Sequence, residues 1–216
     1  MEDISFHFRE QHWRVSAGKG LYWEEERALI VSDLHLGKSA HFRKAGIAIP
    51  GNIVQEDLFC LQQLIVRYNP EKLIIVGDMF HSVANNEVNY FKLWRRQFPQ
   101  LQFDLITGNH DIMGESVYQD LEIRQYDSLR LHNIHFVHDA ADAPPSKAYY
   151  VLSGHIHPGV RMNGYGRQSL RLPCFYFGQQ YAVLPAFSHF TGMFTIEPQA
   201  GEPVFVLAEK KVIKMQ

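Results

Sequence analysis

ALIVSDLH, residues 28–35, is a continuous apolar run that stops abruptly at an acid and an imidazole, Asp33 and His35. A short run of this kind fits a strand buried on both faces. Two later runs repeat the plan: LIIVGD (73–78) and FDLITGNHD (103–111). Between the first two, Val54, Leu58, Leu61, Ile65 and Tyr68 recur at helical spacing, predicting a helix over 53–68. Asn52 with Gln55 marks its start, and Asn69-Pro70 its stop. Val88, Phe91, Trp94 and Phe98 predict a second helix over 87–98, closed by Pro99. Alternation of strand and helix forces parallel strands joined by right-handed crossovers. Ligands of such sheets bind at the carboxyl ends of the strands. All three strands end in chemistry-bearing residues: Asp33/His35, Asp78/His81 and Asn109/His110.

Away from this block the pattern changes. ISFHF, HWRV and GLYW, divided by Gly-containing turns, read as short edge strands. IHFVHD (134–139) and YYVLSGHIHP (149–158) are strand-like and again run into His. VRMNGYG, SLRLPCFYF, YAVLPAF, GMFTIE and PVFVL lack helical periodicity and read as an antiparallel second sheet. The expected fold class is α/β: two sheets flanked by helices, in one domain spanning 1–216.

Composition narrows the function. Of 216 residues 46% are apolar and 20% charged, which argues against disorder. A formal charge of −2 excludes a protein that holds nucleic acid by bulk positive charge. The only cysteines, Cys60 and Cys174, exclude a disulfide framework and a Cys-based zinc ribbon. Both are expected to be reduced and buried. The start, with acids at 2 and 3, does not read as a secretory signal, and runs such as LIIV fall far short of the ~20 residues of a membrane helix. The expected location is the cytoplasm, with no membrane partner. No stripe marks an interface, so the oligomeric state stays open.

The polar strand ends form an ordered series: Asp33-x-His35, Gly77-Asp78-x-x-His81, Gly108-Asn109-His110-Asp111, His138 and Gly154-His155-x-His157. Imidazole with carboxylate suits Zn, Mn, Fe and their neighbours, whereas an all-oxygen calcium or magnesium cage needs no histidine. Asp33, His35, Asp78, Asn109, His138, His155 and His157 are too many ligands for one tetrahedral ion. They suit two metals sharing a carboxylate. Two divalent ions outweigh two carboxylates in charge, so the site attracts a phosphate although the whole chain is slightly acidic. Ions about 3.5–4 Å apart clamp the attacking and leaving oxygens of an in-line displacement, and lower the pKa of bound water to about 7.

The series resembles the calcineurin-like metallophosphoesterases, whose pattern is D-x-H, GD-x-x-[DHER], GNH[DE], H, GH-x-H. All five elements occur in order across 33–157. The resemblance implies a four-layer αββα sandwich of two mixed sheets and cleavage of phosphate esters by a hydroxide bridging two metals. It implies that Asp33, His35 and His157 hold one ion, that Asn109, His138 and His155 hold the other, and that Asp78 bridges. His110 then acts as general acid or charge stabiliser, oriented by Asp111. Manganese is the leading metal, with Fe, Zn and Ni as alternatives. A narrower resemblance rests on SDLHLGKSAHFRKAGIAIP (32–50), GDMFHS (77–82) and the LPCF…LPAF…TGMF tail (172–194). These look like the bacterial ligase-associated phosphoesterases, DNA damage response endonucleases encoded beside a helicase and a DNA ligase. It implies DNA as substrate and a functional association with ligase and helicase.

Other residues carry weaker signals. His135 competes with His138, but three residues apart in a strand they face opposite sides, and His138 enters the loop. His81 reads equally as an orienting residue behind the metals or as pocket wall. Lys38 and Arg43 follow the first motif and suit the phosphodiester backbone. Arg95 and Arg96 read as the wet side of a helix. Phe175, Tyr176, Phe177, Tyr181, Phe187 and Phe190 read as sheet core rather than a base-stacking platform. His189 and the remaining histidines are assigned nothing. Two rival functions are a small-molecule phosphoesterase, acting on a cyclic nucleotide or nucleotide-lipid pyrophosphate, and a non-catalytic module on the same fold. His155 follows His138 by 17 positions, which leaves little room for the lid insertion of the former.

Overall fold

The structure is a computed structural model that describes residues 2–38, 53–81, 86–144, 146–164, 168–189 and 191–215. Its first sheet is built in chain order from β1 (Asp3–Phe8), β2 (Gln11–Ser16), β3 (Leu21–Trp23), β4 (Ala28–Ser32), β5 (Lys72–Val76), β6 (Gln102–Ile106) and β7 (Ile123–Tyr126). The first three are the expected edge strands and pair antiparallel; β4 to β7 are parallel. Helix α1 (Ile53–Tyr68) joins β4 to β5, α2 (Asn86–Arg95) joins β5 to β6, and α3 (Glu115–Asp120) joins β6 to β7.

The apolar runs explain this arrangement. Every residue of β4 is 0% exposed. Successive side chains of a strand point to opposite faces. Leu29 and Val31 accordingly pack under the helices with Leu58, Leu61 and Leu64 of α1. Ala28 and Ile30 pack the other way, against the second sheet. Full burial of each such aliphatic side chain contributes about 1.5–3 kcal/mol.

The second sheet holds β8 (Leu129–Leu131), β9 (Ile134–Phe136), β10 (Tyr150–Ser153), β11 (Pro158–Asn163), β12 (Ser169–Phe177), β13 (Tyr181–Val183), β14 (Phe194–Thr195), β15 (Val204–Ala208) and β16 (Lys211–Lys214). The antiparallel expectation needs correcting. β10 runs parallel to both β9 and β13, and β11 parallel to β14. The chain crosses over between these strands instead of turning straight back, and that brings the ends of β9 and β10 to the same rim. Phe136, Leu152, Phe175, Phe177 and Phe205 face the first sheet and form the core between the sheets. The protein is thus an α/β sandwich of two mixed sheets. Among the described residues its α-helices cover only the first sheet. The second sheet carries a separate small cluster of Val160, Cys174, Val204 and Val206.

Further expectations change. α2 ends at Arg95, and Arg95 is buried rather than wet. Its guanidinium donates to the carbonyls of Phe98 (2.7 Å) and Leu101 (3.2 Å), and so folds the segment after the helix back on itself. Both cysteines are free, but Cys60 is only half-buried. Phe175, Phe177 and Phe187 are core as expected, whereas Tyr181 is exposed. Arg43 and Phe190 lie outside the described residues. Among those described, no helix is long and apolar enough to cross a membrane.

Candidate metal centre

The two central parallel strands do not separate where their ladders end. The N–H groups of Asp33, His35 and Leu36 donate to the carbonyls of Gly77, Asp78 and Met79. The first two motif loops are therefore zipped together. Gly77 N–H donates to Ile106 O at 2.8 Å, tying in the base of the third loop. On the second sheet Gly154 N–H donates to His138 O at 3.0 Å. The loops of both sheets meet at one rim.

There the side chains form two groups able to hold a metal: Asp33, His35 and His157, and Asp33, Asp78 and His138. In the first, His35 Nε2 and His157 Nε2 face each other at 3.3 Å, and His157 Nε2 lies 3.6 Å from Asp33 Oδ1. His157 Nδ1 lies 3.2 Å from Gly192 O, which fixes its proton on that side and leaves the Nε2 lone pair for a ligand. In the second, His138 Nε2 lies 3.6 Å from Asp78 Oδ1 and 3.0 Å from His155 Nδ1. Asp33 Oδ1 is also 4.0 Å from His138 Nδ1. Each carboxylate accepts one N–H from a neighbouring ligand loop: Asp33 Oδ2 from His155 (3.1 Å) and Asp78 Oδ1 from His110 (2.9 Å). Asn109 directly precedes His110 on the third loop, outside the two groups.

The donor set fits divalent cations. Asp33 is 0% and Asp78 3% exposed, a burial that two carboxylates tolerate only with positive charge close by. Asp33 Oδ1, His35 Nδ1 and His138 Nδ1 are buried and have no hydrogen-bond partner among the described residues. Burial, then the Lys38 charge, depresses His35 to about 3, so its ring stays neutral with a lone pair to give. Burial opposes ionisation of Asp33, but the surrounding imidazoles of His157, His138 and His35 outweigh it and hold the carboxyl below its ordinary range.

The backbone is strained where the ligands sit. Asp33, His35, Asp78, His155 and His157 all have positive φ, between 41° and 70°. That region is sparsely populated by non-glycine residues and costs on the order of 1–3 kcal/mol each. Gly77 has no side chain for a reason: a Cβ there would strike the His138 ring. A Cβ on Gly108 would strike the Asp78 carboxylate.

His110 sits at the mouth, with its Nε2 4.0 Å from Asp78 Oδ2. His81 packs against it, ring centroids 4.3 Å apart, and lies 5.5 Å from His35. Lys38 is half-buried beside the carboxylates; burial lowers its pKa, and Asp78 and Asp33 oppose the shift. Asp111 bonds to backbone amides. Its carboxylate accepts N–H bonds from Gly108 (2.9 Å), Phe80 (3.0 Å) and Met79 (3.3 Å), and forms no side-chain bond to His110 among the described residues. It joins the second and third loops instead. Burial outweighs those bonds and raises its pKa to about 6. His135 lies on β9 near Arg130 and Tyr149, away from both groups. Sequence reasoning missed two neighbours: the Gly192 carbonyl, which carries no signal in a sequence, and Asp139, 3.7 Å from His155 Nε2, which directly follows His138.

A family model described as calcineurin-like phosphoesterase matches residues 26–174. No curated protein matches the chain. Among solved structures it is similar to Pseudomonas putida nuclease MPE, with 30% identity and a TM-score of 0.84 over 99% of this chain and 100% of that one. It is similar, at a TM-score of 0.44, to a protein of unknown function from Aquifex aeolicus, with 17% identity over 65% and 82% of the two chains. Yfce, a phosphoesterase from E. coli, also gives 0.44, with 12% identity over 86% and 96%. The match over 26–174, together with the ordered motifs and the acid–imidazole groups at one rim, places this chain in the calcineurin-like phosphoesterase family, as a metal-dependent phosphoesterase.

Proposed function

We propose that the chain is a two-metal phosphodiesterase that cuts nucleic acid, with DNA as its substrate, in DNA repair in the cytoplasm. The observation that carries this reading is the pair of acid–imidazole groups joined at Asp33. Asp33, His35 and His157 hold one ion; Asn109, His138 and His155 hold the other. Asp78, grouped with Asp33 and His138, would bridge the two ions, as the family resemblance implies. When bound, two divalent ions supply a nucleophilic water and neutralise charge on the phosphoryl oxygens. Manganese is the proposed pair. Likeness to the P. putida nuclease, at 30% identity over 99% of the chain, supports nucleic acid as the substrate class. The ligase-associated resemblance supports a functional association with DNA ligase and helicase.

The chain's own residues bind and move protons. His110, half-exposed at the mouth, holds the proton on Nε2 for the departing oxygen. His81 packs on its ring and limits its rotation. Lys38 presents positive charge to the incoming phosphodiester, as does Arg43. Asp111 positions His110 through the backbone, by fixing the 107–111 loop to the 77–81 loop.

The test is purified protein with Mn²⁺ on an aryl phosphodiester, single-stranded DNA, duplex DNA and cyclic nucleotides. The aryl diester and DNA are expected to be cut; turnover of cyclic nucleotides alone would refute the nucleic-acid reading. His110→Ala is expected to keep its metal and lose about 10²–10⁴-fold in rate. Loss of metal in that variant would show that its assigned role is wrong.

A further inference from the structure

One buried acid on α1 has no place in the metal centre. Asp57 is 2% exposed, on a helix face otherwise given to aliphatic packing. Burying a carboxylate there is costly unless it is paired. Its partner is His189, whose Nδ1 lies 2.5 Å and whose backbone N lies 3.3 Å from Asp57 Oδ1. The His189 side chain is itself 54% exposed. With Nδ1 committed to Asp57, Nε2 is the ring atom left to meet a ligand.

The segment carrying His189 is anchored to the metal centre on both sides. Ala186 bridges to Ser32, Phe187 N–H donates to Ser32 O (2.8 Å), and Ser188 N–H donates to Asp33 O (3.3 Å). Beyond it, Gly192 O meets His157 Nδ1 and Phe194 N–H donates to His157 O (3.1 Å). Lys19 Nζ donates to the carbonyls of Phe187 and Ser188, both at 3.1 Å. His189 and His157 line one cavity of about 140 Å³, with Lys19, Ser188 and Thr191. Drug-sized ligands fill pockets of about 300–1,000 Å³, so this one suits a single small polar group.

We infer that His189, held by Asp57, is a substrate-binding residue whose Nε2–H donates to a phosphodiester oxygen adjoining the one that is cut. This rests on the phosphodiesterase reading above. In the bound state both ring nitrogens face acceptors, the Asp57 carboxylate at Nδ1 and a phosphate oxygen at Nε2, and such charge-assisted bonds are of the stronger kind. Such a contact serves a polynucleotide, which has a neighbouring phosphate, and not a small diester, which has none.

The test compares wild type, His189→Ala, His189→Arg and Asp57→Asn on single-stranded DNA and on bis(4-nitrophenyl) phosphate, with bound manganese measured in each. His189→Ala is expected to lower kcat/KM for DNA by about 10- to 100-fold, chiefly through KM, and by about tenfold more than for the aryl diester. Manganese content should match wild type, and His189→Arg should recover most of the DNA activity. Asp57→Asn should shift KM in the same direction. Equal losses on both substrates, no loss on DNA, or a fall confined to kcat would overturn the inference. Fluorescence anisotropy of a labelled single strand reads the contact without turnover. Weaker binding by His189→Ala supports it even if wild type proves inert on both substrates, a result that would count against the phosphodiesterase reading alone; unchanged binding overturns it.

Discussion

The two sheets reach the metal centre with different chemistry. The first delivers the charge: Asp33 and Asp78 follow buried parallel strands, in loops zipped by backbone bonds. The second delivers imidazoles: His138, His155 and His157 follow short strands of a mixed sheet, and two of them have left-handed backbones. Each possible metal group draws on both sheets. Neither sheet alone balances its own groups. The first buries its carboxylates, and the second brings most of the imidazoles that face them. The centre is therefore a property of the packed sandwich.

The largest expected effect comes from cutting the two contributions separately. Asp78→Asn removes one of the two buried negative charges supplied by the first sheet. Bound manganese should fall from two ions to fewer than one per chain, with at least about 10³-fold loss of phosphodiester hydrolysis. His155→Ala removes one imidazole of the second sheet and should retain about one ion. Metal analysis reads both; if the two variants empty equally, the contrast between the sheets is broken.

The meeting of the sheets is tested next by Gly77→Ala. Its Cβ collides with the His138 ring, and φ of 78° is unfavourable for alanine. Destabilisation of about 2–4 kcal/mol is expected in urea melts, with metal loss from the His138 side. Normal stability and metal content would show that the sheets have slack where they join.

The smallest effect sharpens the contrast within the first sheet. Asp104, in the middle of β6, is buried away from the metal groups, and burial raises its pKa despite Gln102 and Arg124. With its folded value above its unfolded one, the charged form is penalised as pH rises through the folded value. Asp104→Asn should raise Tm at pH 7, and the gain should fade once both states are protonated, below about pH 4. An equal gain at low pH would point to packing rather than charge.

Much of this was legible in the residues. β4 at 28–32 and α1 at 53–68 match the expected bounds, because continuous apolar runs and helical spacing are local signals. The series of candidate donors was legible because Gly-flanked acids and imidazoles recur at strand ends. Arg95 was misread because its carbonyl partners lie beyond the helix end, in a turn that no periodicity announces. The reach of Asp111 was hidden because its bonds run to backbone amides about 30 residues earlier. The crossovers of the second sheet were hidden because alternation specifies a face, not a neighbour.

By itself the sequence determined which strands are buried, where they stop, and which side chains stand at their ends. Those depend on local polarity and backbone preference. Only the tertiary structure decided which imidazoles meet which carboxylates, that Asp111 ties two loops, and that Asp57 reaches His189 across 132 positions. Each of those is a through-space contact, set by how two sheets and a helix pack, and the order of residues along the chain does not encode it directly.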